Sequence, residues 1–320
     1  MALRGAFHCR RVGELPSLES PQMTDNTRGA VLMMLGMAAF VFSDATMKLL
    51  GQSLPLFQSL FLRGLLVTAL FWLLARYRGA LAVELGDRDR RLLIWRVASE
   101  ALTAFFFFMA LFNMPLANVT AILQALPLTI TLAGALFLGE RVGWRRASMI
   151  ALGFLGVLMI VRPGTAGFDH HAIYALLAVA CVTLRDIVTR QMSVSVPSVA
   201  VAFWTALGVT VFAALGSLTE SWVTPGPSHA GLLVLASGFI LAGYLLAIMA
   251  VRIGELAAVS PFRYTGLIWA LILGFLVFGD WPDGMTMLGA GLIVVSGLYS
   301  FFRERQLSRQ SARTRPASTP

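Results

Sequence analysis

A chain of 320 residues in which 58% are hydrophobic and 13% charged, with a mean hydropathy of +0.77, lies outside the range of soluble globular domains and points to an integral membrane protein. A formal charge of +9 would suggest nucleic acid in a soluble chain. Here the basic residues fall between apolar runs, where they orient a membrane protein, which argues against a nucleic-acid partner. Cys9, near the N-terminus, and Cys181, inside an apolar run, have no CxxC or histidine context and imply neither a disulfide nor a metal.

Residues 1–27 carry charges but no apolar stretch of signal-peptide length, and read as a disordered tail. Met23 opens "MTDNTRGAVL", which runs straight into the first apolar segment, so it is an alternative start. A bilayer crossing takes about 20 mostly apolar residues. Ten runs meet that length, near 29–50, 56–75, 92–112, 116–138, 143–161, 171–189, 197–217, 230–251, 256–279 and 285–302. The predicted fold class is thus an all-α membrane protein of ten transmembrane helices.

An even number of spans puts both termini on one side, and arginines choose that side. Arg4, Arg10, Arg11 and Arg28 precede the first span; Arg76, Arg78, Arg88, Arg90 and Arg91 fill the second connection; Arg141, Arg145 and Arg146 fill the fourth. Residues 303–320 form a basic tail with Arg303, Arg305, Arg309, Arg313 and Arg315. Alternate connections such as "NMPLAN" and "GDWPDGM" hold neither Lys nor Arg. Both termini are therefore expected in the cytoplasm of a bacterial cell, with the spans in the inner membrane.

The stretch "SDATMKLLGQSLP" that ends the first span returns as "RDIVTRQMSVSVP" at the end of the sixth. Asp44, Lys48 and Pro55 map to Asp186, Arg190 and Pro197 at an offset of 142. Leu116, Ala117, Val119, Gly134, Gly139 and Glu140 echo Leu256, Ala257, Val259, Gly274, Gly279 and Asp280 at an offset of 140. The unit of duplication is five spans, giving halves at 28–164 and 165–302. An odd number per half inverts one relative to the other, as in alternating-access transporters with a midplane substrate site.

"MPLANVTAILQALPLTITLAGALFLGERVGWRRASMIALGFLGVLMIVRPG" and "PFRYTGLIWALILGFLVFGDWPDGMTMLGAGLIVVSG" resemble the ends of the two repeats in the EamA family of the drug/metabolite transporter superfamily, a likeness covering residues 28–302. Within the family, "LPLFQSLFLRG", "LQALPLT" and "FRYTGLIWALILG" most resemble bacterial riboflavin importers and, less closely, S-adenosylmethionine uptake carriers. The resemblance implies a secondary carrier of a small organic metabolite, with riboflavin uptake as the first expectation. S-adenosylmethionine uptake and amino-acid or metabolite export are the alternatives. A polytopic membrane enzyme is a rival of another class, to which the opposed repeat is poorly suited. A homo-oligomer is compatible with the reading.

Ionisable groups inside a span cost about 2.5–3.5 kcal/mol each and therefore seek a cavity or a partner. Asp44 and Lys48 lie one turn apart in the favourable order for an ion pair, as do Asp186 and Arg190. As symmetry mates they are expected to gate opposite mouths, the alternative being that Lys48 snorkels to the surface. Arg63, about 12 Å of helix rise beyond Pro55, lies too deep to reach water and has Gly64 beside it for close helix approach. Arg96 and Glu100 form another pair four apart, with Glu100 a candidate for proton coupling or a structural salt bridge.

Pro127 and Pro261 are expected to interrupt spans 4 and 9, and broken helices at matching places in two halves mark a transporter site. Gln124, Arg263, Tyr264 and Trp269 are accordingly the expected central substrate residues, with Arg63. Tyr264 and Trp269 would stack on a flat ring, and Gln124 and Arg263 would hold its polar edge. No Walker sequence, cofactor motif or recognisable nucleophile is found, and "DHH" at Asp169–His171 reads as a loop rather than a metal site.

Overall fold

The computed structural model describes residues 25–80, 86–137, 143–165, 168–193, 195–254 and 256–314. The N-terminal tail with Cys9 and Met23, the matched residues Gly139 and Glu140, and Arg141 lie outside them. The described chain is helical throughout: α1 (Asp25–Leu50), α2 (Leu56–Tyr77), α3 (Asp87–Asn113), α4 (Leu116–Leu123), α5 (Leu126–Phe137), α6 (Trp144–Val161), α7 (His171–Arg190), α8 (Ser198–Ser217), α9 (Pro227–Ile253), α10 (Leu256–Val259), a 3-10 turn (Ser260–Tyr264), α11 (Thr265–Phe278) and α12 (Gly284–Thr314). Taking α4 with α5 and the 3-10 turn with α11, nine segments among the described residues are long and apolar enough to cross a bilayer. The apolar part of α6 is shorter, Ala147–Val161. The last helix runs on past its apolar part to Thr314, so much of the expected basic tail continues a span.

Prolines set many of the boundaries. α2, α4 and α8 begin directly after Pro55, Pro115 and Pro197, and α9 begins on Pro227; a fixed φ and a missing N–H cost nothing at a helix start. α3 stops because Met114 precedes a proline and is driven into extended backbone, with φ −120° and ψ 157°. α11 stops at Gly279, whose φ of 71° lets the amides of Gly279 and Asp280 return to the carbonyls of Phe275 and Gly274.

The helices pack as a duplicated unit. α1 lies along α9 and α3 along α7, while α2 pairs with α8 and α6 with α12. Exchanging the halves converts the first pairing into the second and leaves the last two unchanged, as a pseudo-twofold requires. Thr68 and Thr210, 142 positions apart, touch at 2.9 Å between hydroxyl oxygens where α2 crosses α8. Side chains at symmetry-equivalent positions meet in this way only near the axis.

Close backbone approach holds the pairs together. A Cβ on Gly156 of α6 would lie 2.5 Å from the Gly289 carbonyl, and one on Gly289 of α12 would lie 2.6 Å from the Gly156 carbonyl. Small residues take this place because lipid offers no hydrophobic drive between helices and van der Waals contact must supply it. At the end of this pair Arg162, with a left-handed φ of 52°, donates to both carboxylate oxygens of Asp283. The Arg162 hydrogen bond, with the Thr286 amide, holds the Asp283 carboxyl well below the usual carboxylate range.

Gly156→Val should prise α6 from α12 and destabilise the protein by about 1–3 kcal/mol through overpacking. Gly231→Ala, whose new methyl meets nothing within 4 Å, should leave the thermal unfolding midpoint in detergent within a degree or two of wild type.

Candidate functional site

The polar interior is built first on α1. Ser43 is fully buried; its hydroxyl donates to the Ala236 carbonyl of α9 at 3.0 Å and accepts from Arg63 Nη2 at 3.3 Å. Arg63 also lies over the Phe108 ring, 5.3 Å from its centroid, and its Nε is buried without a hydrogen-bond partner. Asp44 faces this guanidinium electrostatically, and no hydrogen bond or ion pair reaches its carboxylate among the described residues. Gly64 allows the approach that brings α8 alongside, since a Cβ there would stand 2.5 Å from Thr210 Oγ1.

Beside these charges lies an aromatic group. Phe42 stacks on Phe239 of α9 with centroids 5.3 Å apart and meets Trp269 of α11 at 6.4 Å. Gln124 caps α4 where the span breaks. Pro127 cannot donate to the Leu123 carbonyl, and Ala125 and Leu128 form tight three-residue turns instead. The equivalent break in the second half is the 3-10 turn holding Pro261. A methyl added to Gly266 would stand 3.7 Å from Gln124 Nε2 and 3.8 Å from Met37 Cβ, which places the Gln124 amide between α1 and α11.

The five expected substrate residues therefore divide. Arg63, Gln124 and Trp269 face neighbours on or beside α1. Tyr264 turns to α12, where its hydroxyl fills the notch at Gly297 and finds no hydrogen-bond partner. Arg263 is exposed. The tight 3-10 winding rotates these two away from the direction a regular helix would give them.

In the first expected gate pair Lys48 turns to the end of α3. Lys48, 9% exposed, donates to the Leu111 and Met114 carbonyls and lies over the Phe278 ring at 5.4 Å. The end of α3 leaves carbonyls without helical partners, and a cation beside them offsets a burial penalty that pairing with Asp44 would leave in place. Asp186 bonds Arg185, through Nε at 2.9 Å, and Arg190 is exposed. Arg185 also bonds Glu100 at 3.0 Å, so Glu100 reaches α7 rather than forming the expected hydrogen-bonded pair with Arg96. Arg96 donates to Thr189 and feels Glu100 only through space. Tyr244 of α9 joins the field of this cluster.

Arg185 was not among the expected site residues. In the repeat it stands opposite Ser43, so the matching positions drew attention to its neighbour Asp186. Each half thus brings one guanidinium beside its conserved-offset aspartate, from α2 in the first half and from α7 itself in the second.

Both ends of the bundle carry polar contacts between helices that the sequence reading missed. Asp89 of α3 accepts from the Ser193 amide after α7 at 3.0 Å. In the corresponding place of the other half, Ser53 after α1 meets His229 Nε2 of α9 at 2.9 Å. Glu220 accepts from the Phe57 and Gln58 amides at the start of α2, both at 3.1 Å. Asp169 is engaged by the backbone and ring of His171 at the start of α7.

Paired helix bundles with spans broken at equivalent places and charges held inside define a multi-pass membrane protein. The profile of the EamA-like transporter family matches residues 27–162 and 171–302, and the chain belongs to this family. It is 27% identical over 194 residues to an S-adenosylmethionine uptake transporter of Rickettsia prowazekii, covering 60% of this chain and 65% of that protein. A pseudopaline exporter, CntI, of Pseudomonas aeruginosa is 28% identical over 84% of this chain and 94% of its own. A riboflavin transporter of Vibrio cholerae is 27% identical over 62% and 67%. The chain thus spans about 65% of the length of the S-adenosylmethionine carriers it matches. A solved crystal structure, 21% identical with a TM-score of 0.58 over 87% of this chain and 98% of its own, shares the fold.

Lys48→Ala strips the partner from two carbonyls and should destabilise the protein by about 1–3 kcal/mol. Lys48→Arg should recover most of that in thermal unfolding, which a pure Asp44 gate would not require. Arg185→Gln should cost about 1–3 kcal/mol by leaving the partly buried carboxylates of Glu100 and Asp186 without their partner, and adding Glu100→Gln should restore part of it. A double-mutant cycle by thermal unfolding reads the coupling.

Proposed function

We propose that this protein is a secondary carrier of a bacterial inner membrane, with cytoplasmic termini, that moves a small organic metabolite bearing a flat heteroaromatic ring and a charged end. The observation that carries the reading is the meeting of an aromatic group, Phe42, Phe239 and Trp269, with opposed charges Asp44 and Arg63. The two interrupted spans stand beside them. A ring would stack on Trp269 and Phe42, Gln124 would bind its polar edge, Arg63 a carboxylate and Asp44 a positive group.

Alternating access follows from the duplicated packing. Rocking one half against the other would open the Asp89–Ser193 latch at one mouth while the Ser53–His229 latch closes the other. The Arg96, Glu100, Arg185 and Asp186 cluster, with Arg190, acts as the cytoplasmic gate. Glu100 is held there by Arg185, so Asp44 replaces it as the group for a coupling proton or a cationic substrate.

Opposed charges favour S-adenosylmethionine over riboflavin, the first expectation from resemblance, because a flavin with its sugar-alcohol chain carries no charge for them to meet. Relatives named for either compound support a heteroaromatic cargo in general. The related exporter keeps the direction of net movement as part of the test.

Proteoliposomes loaded with unlabelled compound should exchange labelled S-adenosylmethionine by counterflow, which reads binding whichever way net transport runs. Arg63→Ala and Trp269→Ala should each weaken half-saturation by roughly tenfold or more, about 1.4 kcal/mol, at normal expression. Exchange of riboflavin alone would return the cargo to a flavin. Unchanged kinetics in both variants would remove the site.

A further inference from the structure

Between them α11 and α12 part around a crevice of about 540 Å³, within the range of ligand sites. Its floor is small and buried, with Ala121 of α4 1% exposed and Ala290 of α12 5% exposed. Its rims face outward, with Ile268 56% and Val295 59% exposed. The lining runs from Thr286 to Phe302 along α12, about 24 Å at 1.5 Å per residue. One leaflet supplies about half of a hydrocarbon core about 30 Å thick, so the crevice accepts the full length of one acyl chain. Both helices that form the rims belong to membrane-length segments, so hydrocarbon is the medium that meets the opening.

The crevice also has a polar end. Phe262 and Tyr264 line it, and between them Arg263 is exposed and acts electrostatically on Tyr264. The last lining residue, Phe302, is followed directly by Arg303. Because α11 and α12 run antiparallel through a short connection, the start of α11 lies against the C-terminal part of α12, as the Tyr264 contact with Gly297 records. The two arginines therefore stand at the same end of an apolar slot. A neutral lipid would leave them without a counter-ion, whereas a phosphate ester on an acyl chain meets both features.

We propose that this crevice binds an anionic phospholipid, with an acyl chain between α11 and α12 and the headgroup phosphate at Arg263 and Arg303. This assigns Arg263 a lipid-facing role in place of the central one. One wall is the 3-10 turn that interrupts the span, so the bound lipid would press on the segment whose movement the carrier reading requires. The site itself does not depend on that reading.

The test uses the full-length protein purified in a mild detergent and exchanged with phosphatidylglycerol or phosphatidylcholine of matched chains, with retained lipid read by native mass spectrometry. Wild type should retain phosphatidylglycerol roughly tenfold better. Arg263→Ala with Arg303→Ala should abolish that preference while the thermal midpoint in lipid-free detergent stays unchanged. Gly291 lines the crevice and a Cβ there meets nothing within 4 Å, so Gly291→Leu fills the slot without crowding the protein and should reduce retention of both lipids, with Gly291→Ala as the milder variant. Equal retention of the two lipids by wild type would overturn the proposal. So would a preference that survives loss of both arginines, competition by glycerol phosphate without a chain, or a dimer that Gly291→Leu converts to monomer with lipid retention intact.

Discussion

Inside hydrocarbon no water is available to meet a backbone amide or carbonyl, so each must find its partner within the chain. This constraint makes every described membrane-length segment helical, and where a helix ends or breaks the freed groups need another partner. The end of α3 is the clearest instance. Its carbonyls at Leu111 and Met114 receive the Lys48 ammonium, which satisfies the backbone and the charge together. The breaks at Gln124 and at the 3-10 turn follow the same rule through shorter three-residue hydrogen bonds.

Charge burial follows from the same scarcity of partners. An ion pair four apart on one helix is adequate on a wet surface, but in a bundle a neighbouring helix can offer a shorter and better-directed contact. Glu100 accordingly bonds Arg185 of α7, and Arg63 of α2 bonds Ser43 of α1. These links cross helices that must move if access alternates.

Duplication organises the whole. The α1·α9 and α3·α7 pairings exchange under the pseudo-twofold, and the Thr68–Thr210 contact sits close to its axis. The halves have nevertheless diverged in their polar residues. Ser43 and Arg185 occupy equivalent positions, and one half uses a hydroxyl where the other uses a guanidinium. A latch of carboxylate and amide, Asp89–Ser193, likewise corresponds to one of hydroxyl and imidazole, Ser53–His229. The two ends of the bundle are thus held by unequal chemistry.

Apolar run length, proline positions and the offset of 142 were enough to read the helices, most of their boundaries, the duplication and the two breaks, because each depends on local backbone chemistry or on identity between positions. Arg63 was legible as an interior charge for the same reason: its depth along α2 follows from counting residues past Pro55. The partners were not legible. Whether Lys48 meets Asp44 or the end of α3, whether Tyr264 faces a cavity or Gly297, and that Arg185 binds Glu100 all depend on which face of one helix meets which face of another. That choice is made by packing between residues distant in the chain, through contacts such as Gly156 against Gly289, and no spacing along a single helix contains it.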